Sequence, residues 1–184
     1  MMQEKAYTQE KMEILEIGCG IGKGLQLLQA HCFPQQKIRW CGVEKSNAAI
    51  KQYRKRYVKS KDDIPKEGII PLVYKGDIEH KMLGFGTDRF DIIFSIQCLQ
   101  KLQDPVGALN EVMRVLKPQG LLLLADFYHD QSAQLTSSDT SFIHLLLDNS
   151  NFKLLDRKDV SFNAALSAKV STQRYVFIVN FIVL

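Results

Sequence analysis

The sequence is poor in the features that mark specialised chains. It has four cysteines, Cys19, Cys32, Cys41 and Cys98, with no pair spaced as CxxC, and each sits in or beside an apolar segment. That argues against a zinc ribbon or a disulfide scaffold and favours free thiols in a reducing, cytoplasmic setting. No His/Cys/Asp constellation has metal-ligand spacing, so no metal is expected. The longest apolar run, Tyr175–Leu184, is interrupted by Asn180 and is too short to span a bilayer. The first residues, MMQEKAYTQEKMEIL, lack the apolar core of a secretory signal. Repeats and low-complexity segments are absent, which argues against solenoids and whole-chain disorder. A large charge excess is missing too: 24 Lys+Arg stand against 20 Asp+Glu, and a net +4 falls short of a nucleic-acid signature.

What is present is the balance of one globular domain spanning residues 1–184, with 46% hydrophobic and 24% charged residues. Short apolar runs predict strands at Met12–Ile17, Ile38–Glu44, Ile69–Tyr74, Phe90–Ile96, Leu121–Phe127, Phe152–Arg157 and Arg174–Leu184. Amphipathic stretches predict helices at Gly24–Cys32, Ser46–Lys59, Asp104–Leu116 and Ser138–Asn149. Asp104 and Pro105 read as the N-cap and first position of the clearest helix, with Val106, Leu109, Val112, Met113 and Leu116 as its stripe. Strand alternating with helix implies an α/β, doubly wound, mostly parallel seven-stranded sheet with helices on both faces. The last two predicted strands lack a long joining helix, so the final strand is expected to be antiparallel. Ligands in such sheets bind beyond the carboxyl ends of the strands.

The residues at those ends form a series. The first strand runs into Glu16-Ile17-Gly18-Cys19-Gly20-Ile21-Gly22. Glycines there allow a tight turn and close approach of a ligand to the backbone. The loop fits neither GxGxxG, because Lys23 stands at the last glycine, nor a P-loop. Glu44, about 20 positions on, is placed to accept both hydroxyls of a ribose, or else to complement a helix start. Asp77, with Ile78 beside it, could take an exocyclic amine of adenine, or simply shape a turn. The fourth strand opens into Ser95-Ile96-Gln97, and the fifth ends at Asp126-Phe127-Tyr128-His129. The order of these features carries more than any one of them.

ILEIGCGIGKG, GVEKS, KGDIEH and the stretch from FDIIFSIQ to LLLLADF together resemble the class I S-adenosylmethionine-dependent methyltransferases, in particular the small-molecule branch. NFKLLDRKDVSF is similar to that family's sixth strand and following turn. The resemblance implies S-adenosylmethionine as cofactor and methyl transfer to a small-molecule acceptor, on oxygen or nitrogen. It implies that Gly18, Cys19, Gly20 and Gly22 supply backbone near the methionine and ribose portions. Glu16 would order the loop and the amino-acid end of the cofactor. Glu44, with Lys45 beside it, would hold the ribose, Asp77 and Ile78 the adenine, and Ser95 and Ile96 the floor beneath the methyl. Two positions depart from the pattern: Lys101 stands where relatives often carry histidine, and Gln119 replaces the first glycine of a P-G-G turn. Only about a dozen residues precede the first strand, where many relatives have a helical cap. Acceptor recognition is therefore expected from the segments after the fourth and fifth strands, or from a homodimer or partner subunit.

His129 is the candidate general base, since it lies just beyond the fifth strand and an imidazole titrates near neutrality. A solvated loop histidine is the plainer reading. The predicted second helix and its ends carry Lys45, Lys51, Arg54, Lys55, Arg56, Lys59 and Lys61. A solvated face is preferred there to a nucleic-acid surface, because no aromatic interleaving accompanies it. An inactive cofactor-binding scaffold and an RNA methyltransferase are the alternatives to a small-molecule enzyme.

Overall fold

The computed structural model describes residues 11–31, 38–57, 68–80, 84–96, 98–99, 102–128, 152–161 and 174–183. In chain order the elements are β1 (Met12–Ile17), α1 (Lys23–His31), β2 (Ile38–Glu44), α2 (Asn47–Tyr57), β3 (Ile69–Lys75), β4 (Phe90–Ile96), α3 (Pro105–Val115), β5 (Leu116–Tyr128), β6 (Phe152–Ser161) and β7 (Arg174–Val183). A one-turn 3-10 helix, Ile78–His80, follows β3. Among the described residues the strands form one sheet in the order β3-β2-β1-β4-β5-β7-β6. The first five strands pair in parallel, and β7 runs antiparallel to both β5 and β6. The order reverses between β1 and β4, so the crevice for a ligand lies outside the carboxyl ends of these two strands.

Alternation along the strands builds a core on each face. Leu15 and Ile17 of β1, Cys41 and Val43 of β2, and Ile93 of β4 pack with Ala108, Leu109 and Val112 of α3. Ile14 of β1 and Trp40 of β2 pack on the other face with Leu25 of α1 and Ile50 and Tyr53 of α2. The Ser46 side chain accepts the Ala49 N–H (3.3 Å) at the start of α2. Asp104 caps α3 by accepting the Gly107 N–H (2.8 Å), worth about 1 kcal/mol.

Three sequence expectations change here. Val106 is not on the buried stripe of α3; it is exposed, and Glu111 takes an inward position instead. Glu111 is tolerated there because both its carboxylate oxygens accept from Arg114, whose Nη1 also donates to the Phe85 carbonyl (2.7 Å). Second, α3 and β5 meet directly at Leu116. Leu116 pairs with Phe90, the chain makes an excursion over residues 117–120, and pairing resumes at Leu121–Ile92. Third, β6 continues to Ser161, four residues beyond the predicted end. The predicted helix at Ser138–Asn149 lies outside the described residues.

Gln119 makes the 117–120 excursion with φ of +62°, in the left-handed region that disfavours residues bearing a Cβ. Gln119→Gly should therefore raise the free energy of unfolding by about 0.5–1 kcal/mol, the relief of backbone strain less the added entropy of glycine. A urea titration reads this as a higher midpoint at unchanged slope. An unchanged midpoint would mean that the strain is offset by contacts of the glutamine side chain.

Candidate functional site

The site begins where β1 stops. Beyond Ile17 the chain turns through Gly18 and Gly22, with φ of +68° and +88°, conformations that glycine adopts freely. The N–H groups of Gly18 and Cys19 both donate to the Val43 carbonyl (2.9 and 3.1 Å), folding the loop onto the end of β2. Space confines it as well. A Cβ at Gly18 would lie 2.5 Å from Cys98 Sγ, and one at Gly22 would lie 2.4 Å from the Tyr57 ring. The Tyr57 hydroxyl donates to the Gly22 carbonyl (3.0 Å), so α2 grips the loop from the side opposite Cys98.

Glu44, the last residue of β2, joins this loop to α2. Its Oε2 accepts the Gly20 N–H (3.0 Å) and its Oε1 the Ser46 N–H (2.8 Å). Beyond β3, the Asp77 carboxylate accepts the Glu79 N–H (3.1 Å) and shapes the 3-10 turn. These residues border a cleft of about 280 Å³ at the carboxyl ends of the strands. Its polar groups include Glu44, Lys45, Asp77 and Glu79, and its apolar ones Ile17, Val43, Ile78 and Leu102. A second cavity of similar size, between α1 and the sheet, offers almost only apolar side chains, among them Leu27, Trp40 and Phe94. Among the described residues that line it, nothing orients a polar ligand.

Of the residues singled out from the sequence, Gly18, Glu44, Lys45, Asp77 and Ile78 come together in the cleft. Gly20 and Gly22 lie behind it, where the Gly20 N–H donates to Glu44 and the Gly22 carbonyl accepts from the Tyr57 hydroxyl. Glu16 does not line the cleft. Strand alternation turns it to the opposite face from Ile17, where it is buried beneath α1 and accepts the Trp40 indole N–H (3.0 Å). Burial pushes its pKa up to about 7, against the opposing pull of the indole bond. A Cβ at Gly24 would meet its carboxylate, so Glu16 packs against the first turn of α1.

Cys19 is likewise buried, packed over Gly42, and burial drives its thiol pKa well above the ordinary range. Ser95 is buried and donates to the Ile17 carbonyl (3.3 Å), locking β4 to β1; neither it nor Ile96 lines the cleft. His129 lies outside the described residues. Sequence reasoning missed Cys98, Leu102 and Glu79, all of which face the cleft. The one local signal was position: Glu79 follows Asp77 by two, and Cys98 and Leu102 fall between the end of β4 and the Asp104-Pro105 helix start.

Residues 15–124 match the model of a family described as a methyltransferase domain. The chain belongs to the methyltransferase domain family. This methyltransferase domain is 25% identical over 182 residues to the O-methyltransferase rstn1 of Aspergillus nomiae, covering 90% of the chain and 75% of that protein. It is 37% identical over 67 residues to the ubiquinone/menaquinone biosynthesis C-methyltransferase UbiE of Vibrio vulnificus, covering 36% of the chain and 26% of that enzyme. Of two further curated relatives it spans only 39% and 37% of the length. The solved structure of a SAM-dependent methyltransferase from Methanosarcina mazei matches with a TM-score of 0.65 at 20% identity, covering 97% of this chain and 95% of that one. That likeness shows the fold.

The cofactor of this methyltransferase is S-adenosylmethionine. The cleft fits it on three counts. The backbone at Gly18 is bare where a side chain could not stand. An apolar shelf at Ile78 lies beside the Asp77 carboxylate. Among the described residues that line the cleft, three carboxylates against the single ammonium of Lys45 suit a ligand bearing a sulfonium cation. Among the described residues no helix is long and apolar enough to cross a membrane.

Proposed function

We propose that the chain acts as a single domain that methylates an oxygen or nitrogen of a small-molecule acceptor. The observation that carries this is the convergence of Gly18, Glu44, Asp77 and Ile78 on one cleft at the strand ends. When bound there, S-adenosylmethionine supplies a methyl group already activated on sulfur. The protein's contribution is then alignment and exclusion of water. In this reading Glu44 accepts the two ribose hydroxyls with the lone pairs not used by Gly20 and Ser46. Asp77 accepts from the adenine amine and Ile78 packs on the ring. Gly18, Cys19, Gly20 and Gly22 shape the wall facing the methionine portion, and Glu16 holds that loop from below. Lys45 borders the ribose, and Ser95, behind the cleft, fixes the end of β4 to that of β1.

His129 is assigned as the base that takes the proton of an acceptor hydroxyl; a free amine acceptor would not need it. The relatives divide between an O-methyltransferase and a C-methyltransferase by name, so the acceptor atom is the open variable. A panel of phenols, carboxylates and amines, with methyl-labelled S-adenosylmethionine, tests the reading. Label should pass to one acceptor class, and His129→Ala should lower kcat at least tenfold for a hydroxyl acceptor. Failure of calorimetry to detect S-adenosylhomocysteine binding would overturn the site assignment.

One observation favours a second reading, an RNA acceptor. Lys51, Arg54, Lys55 and Arg56 of α2 are exposed, and the helix has no acidic residue. RNA affinity falling steeply with salt would support that reading, and a flat response would exclude it.

A further inference from the structure

The cleft has two walls that come from distant parts of the chain. One is the 3-10 turn after β3, with Asp77, Ile78 and Glu79; the other is the segment before α3, with Cys98 and Leu102. Parallel pairing of β3, β2, β1 and β4 places both at the same edge of the sheet but bonds neither wall to the other. Glu79 does so. Its Oε1 accepts the backbone N–H of Gln103 and that of Asp104, the latter at 2.8 Å. Its own N–H donates to Asp77 Oδ1. The backbones are close at the same place: a Cβ at Gly107 would lie 3.1 Å from the Glu79 carbonyl oxygen.

We propose that Glu79 is a positioning residue that sets the width of the cofactor cleft by clasping these two walls. This rests on the reading of the cleft as the adenosyl site. The plainer role, a cap for α3, is already filled by Asp104, which accepts the Gly107 N–H. The N–H groups that Glu79 holds belong to Gln103 and Asp104, both before the first helical residue. One carboxylate oxygen taking two donors gives a charge-assisted hinge pin between a turn that would seat adenine and the segment that brings Cys98 and Leu102 to the cleft. Loss of the clasp lets the walls part, so bound ligand keeps its partners on each wall but not on both at once.

The test uses the whole chain with Glu79→Ala and Glu79→Gln. Without ligand, hydrogen exchange at the Gln103 and Asp104 amides should accelerate at least about tenfold in Glu79→Ala. The Kd for S-adenosylhomocysteine should rise about 10- to 30-fold, with a faster off-rate and a melting midpoint lowered by only a few degrees. Glu79→Gln keeps an acceptor without the charge and should fall between, at about two- to fourfold in Kd. Unchanged exchange at the two amides in both variants would overturn the clasp. So would accelerated exchange with unchanged ligand affinity, which would leave Glu79 a local structural bond only. If the unaltered protein fails to bind S-adenosylhomocysteine, the reading of the site fails; the exchange arm still decides the clasp.

Discussion

Glu44→Ala is expected to weaken S-adenosylhomocysteine binding about 100-fold, or about 2.7 kcal/mol. The variant loses the proposed acceptor of two ribose hydroxyls, and charge-assisted hydrogen bonds contribute about 1.5–3 kcal/mol each before solvent screening. It also frees the Gly20 and Ser46 N–H groups, which the carboxylate now ties together. The two effects separate with a 2′,3′-dideoxy analogue of the ligand. For that compound the penalty of Glu44→Ala should shrink to the part due to loop order, about tenfold or less. A penalty of equal size for both ligands would remove the ribose assignment and leave Glu44 as a loop tether. Since Glu44 is only half-buried at the sheet end, the melting midpoint should change little.

Glu16 should give the protein an unusual pH dependence. The folded state holds this carboxyl at a pKa of about 7, raised from 4.5 chiefly by burial. Between those two values the folded chain keeps a proton that the unfolded chain has released. Stability therefore falls as pH rises across that window and levels off above it, the reverse of a salt-bridged carboxylate. The full effect is about 3 kcal/mol, since each tenfold difference in proton affinity between the folded and unfolded chain is worth about 1.4 kcal/mol. Glu16→Gln keeps an acceptor for the Trp40 indole N–H but cannot ionise. Unfolding free energies from urea titrations at pH 5 and pH 8 should differ by most of that amount more in the parent protein than in the variant, and at pH 8 the variant should be the more stable. Equal pH dependence in the two proteins would mean that Glu16 is ionised in the fold throughout.

Glu44 and Asp77 were legible as neighbours at the strand ends because parallel strands deliver their carboxyl ends to one edge. Their positions in the chain then suffice to place them together, and both do line the cleft. Gly18 was legible for a similar reason, since a strand leading directly into glycines needs a tight turn. Glu16 stands in the same motif, yet its direction was not legible. Only the pleat of β1 against Trp40 of β2 shows that it faces away from the cleft. Val106 follows the apolar spacing of α3 but stays exposed, because no described element covers that side of the helix's first turn. Glu111 breaks the apolar spacing but is buried, because Arg114 meets both of its oxygens.

What the sequence determined by itself was the arrangement of strands and helices and, through it, the edge of the sheet where the cleft lies. These depend on periodicity and on residues read in chain order; the family and its cofactor entered as what the resemblance of the strand-end motifs implies. Only the tertiary structure decided which long-range bonds join the segments around the cleft. Tyr57 reaches Gly22 across 35 positions, Glu44 reaches Gly20 across 24, and Glu79 reaches Gln103 across 24. Bonds of that span carry no local pattern, because either partner alone is an ordinary tyrosine, glutamate or backbone amide until the sheet brings the two together.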